Sequence, residues 1–339
     1  MLISSPFPDE LALGHLYRLI RLNDTYQANK STNQSQLAKW IANMRPTVTT
    51  AHRRRAPINH MLANSLGVSV ASYRYNHSLC FFDKRWRHLS SQDPTVDIKL
   101  GAFSPPAFTK VAPNNESPYK LCRLCRQEDI TAYGMTYWHR IHQVPGIDIC
   151  PHHLTPLQHH TESDVINNPN PFALNGPLVA AELVQAAHHP ILERYRTLAA
   201  LTLSFGEGIE LFGVRNHVRD IARERGTIIG VAWYHPNTSY LAHYLADKQL
   251  PPAWLGHHID PKTDVQSNAW KNPGVKEHAR ELRRLPDVHL FHPGYLLLVM
   301  AAMFTTPKAA EILLGHNPKT AINSLRLGQP NAKIFKQEK

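Results

Sequence analysis

Cys122-Arg123-Leu124-Cys125 and, after 24 further residues, Cys150-Pro151-His152-His153 form the stretch on which the reading of this chain turns. A zinc ion in a structural site takes four thiolate or imidazole ligands in a tetrahedron, and two cysteines separated by two residues present their thiolates from one tight turn. The second pair repeats that spacing with a histidine in the last place. His153 is therefore the expected ligand rather than the adjacent His152, whose side chain leaves the turn on another side. Three of the four cysteines fall within 29 residues beside a histidine, which suits a metal site in a reducing compartment better than a disulfide framework. The expectation is one structural Zn2+ on Cys122, Cys125, Cys150 and His153, with Cys80 left over as a small buried apolar group.

The same ligand set argues against chemistry at the metal. Catalytic zinc usually keeps one position open for water, whereas three cysteines and a histidine fill all four. A zinc deaminase needs H-x-E or C-x-E upstream of a C-x2-C pair, but His160-Thr161-Glu162 lies downstream of both pairs. Gly315 to Thr320 ends like a phosphate loop with Pro318 where the glycine belongs, so ATP binding is not expected. There is no G-x-S-x-G elbow, and the carboxylates are scattered where a nuclease or transposase needs several converging on Mg2+. No catalytic residue is assigned, and a zinc hydrolase or deaminase is the poorer alternative. His139 and His142, between the pairs, read as alternative ligands, as groups behind the ligands or as partly exposed surface histidines.

Outward from this ribbon, both flanks read as helical. In the N-terminal unit, Pro8-Asp9-Glu10 supplies a proline and two acids where a helix start favours them, and Leu13, Leu16, Tyr17 and Ile20 follow at helical spacing. A second helix follows Ser35, with Leu37, Trp40 and Ile41 on one face, and stops before Pro46. After the basic cluster Arg53-Arg54-Arg55, residues Ile58 to His77 have the layout of a helix-turn-helix. Ala63 sits where two helices cross closely, Gly67 at the turn, and Ser69 can cap a second helix carrying Ser72, Arg74 and Asn76. That layout fits DNA docking and fits an ordinary helical hairpin. Residues 104–118 and 159–177, rich in Pro and polar residues, read as joints. Beyond them come helical patterns over Leu178–Ala187, Ile191–Leu203, Leu211–Glu224, Thr238–Ala246, Lys276–Leu285 and Pro293–Phe304. Thr305-Thr306-Pro307 opens another helix and Gly315 ends it. The expected fold is mainly α, with a helix-turn-helix domain over 1–103, a small zinc ribbon over 116–158 and a helical domain over 178–330.

Charge gives the class of partner. With 37 Lys and Arg against 26 Asp and Glu in 339 residues, the chain carries a formal +11, which favours nucleic acid or a ribonucleoprotein through phosphate neutralisation. Met1 to Glu10 holds no basic and apolar leader, so no export is expected. The strongly apolar run Tyr295–Phe304 has ten residues, about half of the ~20 a spanning helix needs. A cytoplasmic protein with no membrane partner is expected.

The segment from Tyr119 to Leu157 resembles the TniQ/TnsD family. Besides the four ligands, the likeness rests on Tyr133-Gly134, the aromatic pair Tyr137-Trp138 with Arg140, Pro145-Gly146, and the ending formed by Cys150, Pro151, His153 and Leu157. The N-terminal Pro6, Pro8 and Glu10 followed by Arg18-Leu19-Ile20-Arg21-Leu22-Asn23, then His77-Ser78-Leu79 and His292-Pro293, extend it over most of residues 6 to 304. The resemblance implies a non-enzymatic adaptor of DNA transposition that chooses the insertion site and recruits the AAA+ ATPase TnsC. Its target would be attachment-site DNA, as for TnsD, or a CRISPR Cascade complex of Cas6- and Cas7-type subunits and guide RNA, as for TniQ, whose Cascade-bound members are homodimers. The chain is shorter than a full TnsD, which favours the TniQ branch. On this reading Arg53, Arg54, Arg55, Ser72, Arg74 and Asn76 contact nucleic acid. The alternative is a stand-alone zinc-containing, sequence-specific DNA-binding regulator.

Overall fold

The computed structural model describes residues 4–22, 58–79, 82, 119–205, 214, 217–218, 250–258 and 293–314. The expected helix after Ser35, the Arg53-Arg54-Arg55 cluster, Cys80, the joint at 104–118 and the helices expected over 238–246 and 276–285 lie outside them, as does nearly all of 211–224.

Helix α1 (Ala12–Leu22) is buried on every side from Ala12 to Ile20. A helix enclosed in this way carries polar side chains inward, and each needs a partner. Arg18 finds Glu10 in a two-pronged ion pair, with Nε–Oε1 at 2.9 Å and Nη2–Oε2 at 2.7 Å, and lies 4.4 Å above the Phe7 ring. The two acids expected to favour the helix start therefore act otherwise. Glu10 is buried against Arg18, while Asp9 binds Arg140 Nε at 2.9 Å.

Helices α2 (Ile58–Leu66) and α3 (Val70–His77) form the expected helix-turn-helix. Gly67 takes the left-handed conformation at φ +69°, Ala63 is fully enclosed, and the Ser69 hydroxyl accepts from the Ser72 amide at 3.0 Å. Each feature follows from local sequence: a glycine where φ must be positive, a small residue at the crossing, a hydroxyl at the helix cap.

Strand β1 (Tyr119–Leu121) pairs antiparallel with β2 (Gln158–His160), in register Tyr119 with His160 and Leu121 with Gln158. Between them run α4 (Arg123–Tyr133), stopped by Gly134 at φ +74°, and a single 3-10 turn at Ile141–Gln143. Residues 159–177, expected as a joint, instead hold the end of β2, helix α5 (Glu162–Asn167) and a 3-10 turn at Pro171–Ala173. The reason is a capping box: the Thr161 hydroxyl accepts from the Asp164 amide while the Asp164 carboxylate accepts from the Thr161 amide. That pairing starts a helix in a stretch whose composition resembles a linker, and α5 packs on α1.

The C-terminal helices are α6 (Ala181–Ala186), α7 (Pro190–Ser204), α8 (Pro252–His258), α9 (Pro293–Met303) and α10 (Thr306–Leu314). In α9, Leu296 to Ala301 are all buried, so it is the core helix its composition indicated, packed on α7. One apolar core runs from α1 and α2 through Trp138 to α7, α9 and α10. Among the described residues, no helix is long and apolar enough to cross a membrane.

Candidate metal centre

The first pair of ligands stands at a strand-to-helix junction. Cys122 follows β1 directly and occupies the cap position of α4, with Cys125 in the helix's first turn. A helix start favours negative charge, so both sulfurs sit where a thiolate is stabilised. The second pair is a tight turn closed by the Leu154 amide on the Cys150 carbonyl at 2.9 Å and the Cys150 amide on the Thr155 carbonyl at 2.8 Å. The pairing of β1 with β2 brings the two turns face to face.

Their ligand atoms all lie within 4.8 Å of one another. His153 Nδ1 is 3.6 Å from Cys122 Sγ, 3.4 Å from Cys125 Sγ and 3.6 Å from Cys150 Sγ, and the Cys125 and Cys150 sulfurs are 3.6 Å apart. Bonds of about 2.3 Å to sulfur and 2.0–2.1 Å to nitrogen give tetrahedral edges of about 3.8 Å between sulfurs and about 3.6 Å from sulfur to nitrogen. The four distances are close to those edges, and the cluster could hold a metal ion.

Electrostatics point the same way. Contacts from Cys125 and then Cys150 push the Cys122 thiol far below its ordinary range. Cys125 is driven far up, chiefly by its contact with Cys122, and Cys150 is raised to about 12, again first by Cys122. Three sulfurs packed this closely repel one another as thiolates, and a cation among them would offset that repulsion.

Other groups back the ligands. His153 Nε2 meets Glu128 Oε1 at 2.9 Å, which presents Nδ1 to the cluster and raises the imidazole's pKa despite the opposing burial. Thr155 Oγ1 lies 3.5 Å from Cys122 Sγ. His142 Nε2 lies 3.6 Å from both Cys125 Sγ and Cys150 Sγ. His139 and His142 are both buried, so neither is a surface histidine. His139 hydrogen-bonds Asp129 Oδ2 at 2.8 Å, and the Thr136 hydroxyl donates to the same oxygen at 2.8 Å. Because Thr136 and His139 both converge on the carboxylate, the trio does not have the order of a nucleophile, base and acid.

The family model named TniQ matches residues 2–157. These residues form a TniQ domain. No curated protein and no solved structure matches the chain. The TniQ match takes in α1, the helix-turn-helix, β1, α4 and both ligand turns, and ends one residue before β2. A TniQ domain implies, in general terms, a part in target selection for DNA transposition.

In the TniQ helix-turn-helix, Ser72, Arg74 and Asn76 lie along α3 and are half-buried, with Asn76 Nδ2 donating to Ser72 Oγ at 3.4 Å. Tyr73 anchors the helix through its hydroxyl, 2.7 Å from His15 Nδ1, and His77 Nδ1 donates to the Glu10 carbonyl at 3.0 Å. Sequence reading missed Glu128, Thr155 and the role of Arg140. Glu128 alone had a local signal, standing three residues after Cys125 on one helix face.

Proposed function

We propose that this chain is a non-enzymatic target-selection adaptor for DNA transposition, joining a target complex to the AAA+ regulator TnsC. The observation that carries the reading is the TniQ match over residues 2–157, laid on a metal centre whose four positions are all taken by side chains. A closed Cys3His set offers substrate no place on the metal, so its contribution is to folding. Zn2+ is the ion this donor set and its edge lengths suit. Held by Cys122, Cys125, Cys150 and His153, it would fix β1, α4 and the second turn as one body. Target contact falls to the helix-turn-helix and the basic surface, toward Cascade or attachment-site DNA.

Co-purification with TnsC and with Cascade, with metal measured on the same material, tests this. Capture of both with one zinc per chain supports a Cascade adaptor; TnsC with duplex DNA and no Cascade supports direct reading of an attachment site. Binding to duplex DNA without TnsC favours the stand-alone regulator, a reading supported by the capped helix-turn-helix and the net +11. Replacing Arg53, Arg54 and Arg55 together should weaken nucleic-acid binding and lower its salt slope by about 3 at most; an unchanged slope removes them from the interface.

A further inference from the structure

We propose that His142 is the internal hydrogen-bond donor of the metal centre, its Nε2–H shared by the Cys125 and Cys150 sulfurs, and that this donation holds the metal. The inference rests on the zinc reading above and adds to it a residue outside the ligand set. Three thiolates and a neutral imidazole around a divalent ion leave one net negative charge. The sulfurs that bear it belong to residues between 0% and 3% exposed, where water cannot solvate them, and a buried charge needs donors. Thr155 Oγ1 serves Cys122 at 3.5 Å. Cys150 has a backbone hydrogen bond from His153, and the side-chain donor that reaches it and Cys125 together is His142 Nε2, at 3.6 Å from each.

Geometry separates this role from ligation. His153 Nδ1 contacts all three sulfurs, as the fourth corner of a tetrahedron must, while the His142 contacts fall on the Cys125–Cys150 edge. The ring's other nitrogen decides the tautomer. His142 Nδ1 is buried with no hydrogen-bond partner among the described residues, so a proton there would face no acceptor, whereas at Nε2 it faces two. The His139 ring, 5.0 Å away, packs beside it.

The test compares full-length zinc-loaded wild type with His142→Gln, which keeps a donor nitrogen at similar reach, and His142→Leu, which does not. Competition with a chromogenic zinc chelator gives affinity, and iodoacetamide gives the reactivity of the bound cysteines. Loss of a hydrogen bond behind the ligands should weaken zinc binding about tenfold or more and speed alkylation, and the Gln variant should recover most of both. Equal affinity in wild type and the Leu variant, or a Gln variant no better than Leu, would reduce His142 to filling space and overturn the proposal. If neither variant folds, nitrogen-15 spectra of histidine-labelled wild type decide: a protonated Nε2 supports the assignment, a protonated Nδ1 ends it. Absence of stoichiometric metal in wild type fails the zinc reading itself and the proposal with it; metal present with His142 inert fails the proposal alone.

Discussion

His77 is kept neutral by its surroundings. Burial is the largest cause and the Arg140 guanidinium the next, and together they lower its pKa to about 3, against about 6.5 for a free imidazole. As pH falls from about 6.5 toward about 3, the unfolded chain takes up a proton here that the folded chain refuses. The unfolded state binds more protons across that window, so stability rises with pH through it and is lost on acidification, by up to about 1.4 kcal/mol per pH unit from this one group. Asn can donate to the Glu10 carbonyl in the same way without titrating. Urea unfolding at pH 7 and pH 5 should therefore show a smaller loss for His77→Asn than for wild type; equal losses would clear His77 of the effect. Cys122→Ser belongs to the same scale. On the zinc reading it removes a ligand from a site that would fold around its metal, and the expected product is insoluble or locally unfolded protein, seen in expression yield and proteolysis.

Among the elements, the helix-turn-helix depends on one backbone conformation. Gly67 stands at φ +69°, and a methyl group added there would meet nothing within 4 Å. The cost of Gly67→Ala is thus purely that of holding an L-residue left-handed, about 1–2 kcal/mol, and Gly67→Asn should cost less. A thermal melt of the three proteins gives the order Gly, Asn, Ala, with zinc content unchanged because the turn lies outside the ribbon. A fall in bound metal would show that α2 and α3 support the centre more directly than their packing indicates.

Across the whole molecule, Arg140 gathers segments that lie far apart in the sequence. Its guanidinium donates to the Asp9 carboxylate, to the carbonyls of Tyr75 and Ser78 at the end of α3, and to the Leu203 carbonyl at the end of α7. The ends of both helices expose carbonyls that a cation satisfies. Arg140→Met would strand these acceptors in the interior at a cost of about 3 kcal/mol, measured as a lowered urea midpoint. Metal removal acts at the same scale, because the ribbon shares its core with the helices. Trp138 lies 3.3 Å from where a Cβ on Gly14 of α1 would stand. If the proposed zinc is bound, stripping it with a chelator should cost α1 its hydrogen-exchange protection along with residues 119–160, whereas an α1 that stays protected would mean that the flanks fold without the metal.

The sequence by itself determined the elements whose signals are local. Two residues between ligands, a glycine and a capping serine four and six places after Ala63, and helical periodicity in α1, α7 and α9 are decided within a turn or two of chain, so they can be read in order. The TniQ domain was legible for the same reason, in the side chains between Tyr119 and Leu157. Only the tertiary structure decided what surrounds the ligands and what α1 is for. The β1–β2 pairing, the Asp9–Arg140 pair across 131 positions and the Tyr73–His15 contact across 58 leave no trace in neighbouring residues. His142 looked like any histidine between two ligand turns, because a hydrogen bond to a sulfur is set by how distant segments pack around a buried charge, and no local spacing encodes that.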